Sequence, residues 1–174
     1  MSRITAALFF ATCAIACTAA PAASAKELRV TFTAYGPVRI GMSPKAIEIA
    51  LGAKLKRDAA DADSAGCEYV ASSRGYEGIG FMLINQRLAR IDVSAPKVST
   101  LSGARVGQSQ EEVLALYPGR VKVSPHFYTA PDGDYLTMLS HDKKHGMRFE
   151  TNHGKVTVYY AGTAEAIQYV EGCQ

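Results

Sequence analysis

The sequence predicts an α+β fold, two tandem helix-plus-antiparallel-sheet repeats forming one module, and three observations carry that expectation. Val38-Arg39-Ile40-Gly41-Met42-Ser43 lies over Ala104-Arg105-Val106-Gly107-Gln108-Ser109 at an offset of 66 residues. After each copy comes a short helix-like segment opened by a serine. After each helix come three strand-like runs separated by turn residues. The same offset places Tyr69 over Tyr135 and Gly80 over Gly146, and a one-residue slip then matches 90–93 with 155–158. A segment that recurs once at a fixed spacing is the mark of a supersecondary unit too small to bury its apolar face alone.

The chain opens on residues 1–25, which carry one charge at Arg3, an apolar run over 4–20, and Ala23-Ser24-Ala25 before Lys26. These are the parts of a secretory signal with its cleavage site. The alternatives are an uncleaved anchor, or a lipoprotein acylated at Cys17, since Ala14-Ile15-Ala16-Cys17 loosely matches a lipobox. Residues 26–95 form the first repeat. There Ser43 reads as an N-cap with Pro44 at the first helical position, Ile47, Ala50 and Leu51 as the apolar face, and Gly52 as the stop. Strands are expected over 68–72, 79–84 and 88–94. A polar stretch, 96–103, reads as the linker. In the second repeat, 104–174, Ser109 with Glu112 makes a capping box, Val113, Leu116 and Tyr117 make the face, and Pro118-Gly119 ends the helix. Strands follow over 134–140, 146–151 and 155–161, the last two joined by Asn152-His153-Gly154 as a tight hairpin, and 166–170 reads as one more short strand.

Composition narrows the function classes. The 174-residue chain has a formal net charge of +3. Such a weak, dispersed excess gives no electrostatic footprint for nucleic acid. Of four cysteines, Cys13 and Cys17 fall in the leader. That leaves Cys67 and Cys173 as an even pair, expected to bond in an oxidising compartment. The expected location is therefore periplasmic or secreted, with lipid anchoring through Cys17 as the alternative. No nucleotide loop, serine-hydrolase elbow or paired-cysteine metal spacing occurs. The expectation is a protein that is not an enzyme and needs no cofactor or metal.

The run Gly41-Met42-Ser43-Pro44-Lys45-Ala46-Ile47 through Leu51-Gly52, preceded by Arg39-Ile40, resembles the helix start of two kinds of exported bacterial protein. One is the β-lactamase inhibitor protein family, which also repeats a helix-plus-sheet unit in tandem. The other is the small outer-membrane assembly lipoproteins of the SmpA/BamE type. The tandem arrangement favours the inhibitor-like architecture, although that family bonds cysteines within each repeat and this chain has one mature cysteine per copy. The ending Tyr169-Val170-Glu171-Gly172-Cys173, with Pro125-His126-Phe127-Tyr128, is similar to proteobacterial exported proteins sometimes labelled lectins.

Two loops hold the candidate binding residues. Gly75-Tyr76-Glu77-Gly78 lies where the inhibitor-like fold presents a hairpin to its partner. Tyr76 between glycines is suited to project as an anchor, with Glu77 supplying charge specificity; the plainer reading is a solvated turn. Pro125-His126-Phe127-Tyr128 sets an ionisable ring and two aromatics before Pro131-Asp132-Gly133-Asp134. A sugar or peptide would stack on the aromatics while His126 and Asp132 bond its polar edge. The plainer reading puts Phe127 in the core, Tyr128 half-buried and His126 as a satisfied edge residue. The spacing of His141 and His145 suits a metal only on a helix, and here it falls in a lysine-bearing loop. The leading expectation is a periplasmic module binding another protein of the cell envelope through its sheet face and hairpins. Carbohydrate or cell-wall binding is the alternative, and an envelope-assembly lipoprotein the third.

Overall fold

The computed structural model describes residues 28–57 and 66–173. The leader and Cys17 lie outside the described residues. In chain order the elements are β1 (Arg29–Thr31), β2 (Ala34–Tyr35), β3 (Val38–Arg39), α1 (Pro44–Leu51), β4 (Leu55–Arg57), β5 (Cys67–Ser72), β6 (Ile79–Ile84) and β7 (Arg87–Val93). There follow β8 (Ser99–Thr100), α2 (Gln110–Leu116), β9 (Lys122–Pro125), β10 (Asp134–Leu139), β11 (His145–Asn152), β12 (Lys155–Thr163) and a 3-10 turn, Ala166–Gln168. The class is α+β: among the described residues two short helices and one 3-10 turn accompany a majority of strands. No described helix is long and apolar enough to cross a membrane.

Local sequence sets both helices. Ser43 sits in extended backbone and accepts from the Ala46 amide, Pro44 occupies the first turn, and Gly52 ends α1 in the left-handed region at φ +62°. In α2 the Ser109 hydroxyl accepts from the Glu112 amide at 3.1 Å, and the Glu112 carboxylate accepts from the Ser109 amide at 2.7 Å. That amide holds the Glu112 carboxyl below its usual range. Ile47 and Leu51 from α1, and Val113 from α2, are buried against the large sheet, while Leu116 is partly exposed. Ser109→Ala removes one half of the reciprocal cap and lowers stability by about 1 kcal/mol, read as a drop in urea midpoint with unchanged slope.

The large sheet has the order β4-β5-β6-β7-β12-β11-β10-β9. Four antiparallel strands follow α1 and four follow α2, and the two meanders meet where β7 pairs antiparallel with β12. Asn85-Gln86 and His153-Gly154 close their hairpins with positive φ at both central residues, the geometry whose twist matches flanking strands. The face under the helices buries Phe81, Ile91, Leu136, Phe149 and Tyr159. At the junction the chains come close enough that a Cβ on Gly162 would strike the Ala89 carbonyl oxygen. The turn before each helix is tied to the sheet alike. Gly41 donates to Leu88, which donates to Met42, and Gly107 donates to Val156, which donates to Gln108.

A smaller sheet, ordered β3-β2-β1-β8, has strands of two or three residues that no periodicity reveals. Its β8 falls inside the stretch expected as a polar linker: Ser99 and Thr100 are buried and pair parallel with β1. The hydroxyl of Thr100 accepts from the Ala104 amide and meets the Tyr117 hydroxyl at 2.6 Å, which accounts for burying a polar residue there. The expected strand over 166–170 is instead the 3-10 turn. Its carbonyls are not free for a ladder, because the Arg90 guanidinium donates to Ala166 O at 3.0 Å and Tyr169 O at 2.9 Å. The tail thus forms a strap across the sheet face opposite the helices, and Cys173 is joined there to Cys67 by a disulfide.

Candidate functional site

Cross-strand register places a run of polar and aromatic side chains on the face the helices leave free. Asp92 stands opposite Tyr160, Tyr160 opposite Arg148, and Glu150 opposite Tyr135. Arg90 is 4% exposed and gives its protons to Asp92, the strap carbonyls and the Tyr69 hydroxyl, with its guanidinium 4.3 Å from the Tyr160 ring centroid. Burial pushes the Asp92 carboxyl above its usual range, against the lowering effect of Arg90. Arg148 bonds Thr137 and Gln168 and lies 4.7 Å over the Tyr135 ring. Burial likewise raises the Tyr160 hydroxyl, which donates to Glu150 Oε1 at 3.0 Å.

This row ends at the loop 126–133 between β9 and β10. His126 is buried, its ring stacked on Tyr135 with centroids 4.4 Å apart. Its Nε2 lies 3.1 Å from Glu150 Oε2, and its Nδ1 accepts from the Tyr128 and Thr129 amides at 3.1 and 3.2 Å. Further backbone bonds close the loop: His126 N to Gly133 O, Ala130 N to His126 O, Gly133 N to Thr129 O, and His153 N to Asp132 O. A Cβ on Gly133 would strike the Thr129 hydroxyl, so only glycine allows the closure. Outside this frame Phe127 and Tyr128 are 73% and 57% exposed, packed edge to face with centroids 4.9 Å apart. Asp132 is exposed at the same loop.

The structure therefore brings His126, Tyr128 and Asp132 together on one loop and leaves Tyr76 and Glu77 elsewhere. Three strands separate the β5–β6 hairpin from the β9–β10 hairpin, roughly 19 Å at ordinary strand spacing. Tyr76 does not project. Its ring meets Tyr35 edge-on with centroids 6.3 Å apart, and its hydroxyl donates to the Leu51 carbonyl. The glycines at 75 and 78, both at positive φ, turn the chain so that the ring folds back on the core. Glu77 is exposed and accepts from the Gly75 amide. Phe127 is on the surface and not in the core. Sequence reasoning missed Glu150, Tyr135 and Tyr160, which hold the loop from beneath. Their signal was the alternation Arg90-x-Asp92 and Arg148-x-Glu150, charges two apart in strands otherwise apolar. His141 is exposed, and Asp142 closes its turn by accepting from Ser140 and Lys144. Among the described residues no group of three potential ligands is placed to hold a metal.

No family model matches this chain, and no curated protein matches it. Among solved structures it is similar to the uncharacterized protein yfeY from Escherichia coli, at 12% identity and a TM-score of 0.50, covering 77% of this chain and 99% of that one. An extracellular protein containing an SCP domain from Bacillus anthracis matches at 12% identity and a TM-score of 0.48, over 74% of this chain and 45% of that chain. The likeness to the Escherichia coli protein is one of fold alone.

Proposed function

We propose that this chain is an exported, non-enzymatic binding module of the bacterial cell envelope that takes a protein partner on the loop 126–133. Phe127 and Tyr128 are the anchors, and Asp132 supplies a charge at their side. The observation that carries this reading is an exposed aromatic pair held on a loop whose backbone is closed by its own hydrogen bonds. Apolar rings kept in water on an ordered support have already met their ordering cost, and aromatic anchors of this kind dominate interface energies. The disulfide supports export to an oxidising compartment.

The module is also read as an internal duplication, with 26–95 and 104–174 as its halves. The matching ties Gly41–Leu88 and Gly107–Val156 support this. So does the offset at the junction: the local two-fold of the β7–β12 pairing maps Ile91 onto Tyr159, and the same step maps Leu88 onto Val156, the strand residues of the two ties. That register matches Ile91 to Tyr159, an offset of 68, and displaces the slip read from sequence in the last strands.

The test compares the purified mature protein with its Phe127→Ala/Tyr128→Ala variant in capture from periplasmic extract and on a glycan array. A protein partner is expected to be held by the parent and lost by the variant, each anchor contributing about 2 kcal/mol, roughly thirty-fold in affinity. The melting temperature should not change, because both rings are in solvent. Equal capture by parent and variant overturns the reading. Glycan binding abolished by Tyr128→Ala, without protein capture, transfers it to carbohydrate.

A further inference from the structure

We propose that His126 is a proton-operated pin of the loop 126–133, holding Phe127 and Tyr128 in place at neutral pH and releasing them on acidification. Its meaning for binding rests on the reading above, but the pin itself is observable without any partner.

The hydrogen bonds around the ring fix which protons it can carry. Nδ1 accepts from two backbone amides, Tyr128 and Thr129, so the proton of the neutral ring is on Nε2, donated to Glu150. A second proton would go to Nδ1, where it would point at two N–H groups, and the nitrogen could no longer accept from either. Both amide bonds are then lost together, and they belong to the two residues that carry and follow the exposed ring of Tyr128. Within the loop no further backbone–backbone bond ties the amides of residues 127–129, and from beneath the Phe127 backbone meets the Tyr135 hydroxyl, so the Tyr128 and Thr129 amides are the part the ring alone holds.

The surrounding charges act on both sides of the balance. Glu150, on β11, attracts a cation at His126, but its hydrogen bond from Nε2 exists in both protonation states, so protonation adds only the coulombic part. Tyr160, on β12, donates to the same carboxylate and spreads its charge. From β10 the Tyr135 ring lies flat on the imidazole, and Arg148, on β11, sits on that same Tyr135 ring and opposes a second positive charge. Asp92, on β7, interacts with Glu150 from further along the row, and Asp132 lies within the loop itself. The geometric loss is specific to Nδ1, which accepts from the loop's own backbone amides. The linkage therefore has a definite sign: the two amide bonds are available to the unprotonated ring and vanish as the ring gains its second proton. Loop order is present at higher pH and is lost as pH falls.

Amide hydrogen exchange of the full mature protein reads this directly. Between neutral pH and mild acid, protection of the Tyr128 and Thr129 amides relative to unstructured chain should fall about tenfold or more. Amides of β11 and β12 should keep their protection, showing that the sheet stays folded. In His126→Asn the side-chain oxygen stands near the place of Nδ1 and accepts the same amides without a site for a proton, so protection should persist at both pH values. Unchanged protection in the parent overturns the proposal, and so does a His126→Asn variant that follows the parent's pH course. Glu150→Gln supplies an independent arm. Removing the attracting charge should move the transition to lower pH, whereas abolishing it would assign the proton to Glu150 and overturn the role of His126. Failure to find a protein partner would leave all these readings intact.

Discussion

Replacing Arg90 with methionine should lower the unfolding free energy by about 3–5 kcal/mol, the range found when one partner of a buried ion pair is removed. The guanidinium side chain is 5% exposed and that of Asp92 18%, with Asp92 Oδ1 at 3.0 Å. Methionine fills much of the space but satisfies neither Asp92 nor the Ala166 and Tyr169 carbonyls. The pH dependence follows from Asp92, whose carboxyl burial already holds above its usual range. Without Arg90 it rises further, so the folded variant keeps a proton that the unfolded chain has released. Stability of the variant then falls as pH rises through that window, and its deficit against the parent narrows as pH falls. Urea denaturation at pH 7 and in mild acid checks this. A deficit equal at both would mean that Asp92 is not the group left uncompensated.

The second large effect comes from Cys67 and Cys173, which stand 106 residues apart. The double alanine variant should lose up to about 4.7 kcal/mol, the chain-entropy value for a loop of about a hundred residues. Thermal melts with and without reductant measure it. Intact mass of the mature protein gives the complementary reading: two hydrogens lighter before reduction, and a first residue at Lys26 if the leader is removed there. A parent melt unmoved by reductant, with thiols shown to be free, would end the argument. Because Arg90 and the disulfide hold the same strap, the two losses should combine to less than their sum. Once one fastening is gone, the other has less ordered chain to hold.

What could be read in advance followed the range over which each signal acts. Both helices were legible because Ser43-Pro44 and Ser109 with Glu112 act within one turn. The strands β5, β6, β7, β10, β11 and β12 were legible because each is long enough to show its pattern between turn residues. The smaller sheet was not, since Ala34–Tyr35 and Val38–Arg39 offer two residues each and are held by pairing that sequence does not display. The tail was misread as a strand because its backbone bonds go to a side chain 76 positions away, Arg90. The site divides the same way. His126, Tyr128 and Asp132 were found together because the loop is contiguous in sequence. Tyr76 was read as an anchor because its two glycines announce a turn without saying which way the ring falls. Glu150 and Tyr160 reach the loop only through the register of three strands.

The pairing of β7 with β12 has a consequence for how the molecule is made. The two strands are neighbours in the middle of the sheet, yet about sixty residues of chain separate the end of one from the start of the other. A polypeptide emerging from its N-terminus completes β7 early and leaves that strand's outer side unpaired until the last strand is delivered. In that interval the half-built sheet offers a ready template to another half-built copy. Association between unfinished chains, rather than collapse of the finished protein, is the hazard such an open edge carries.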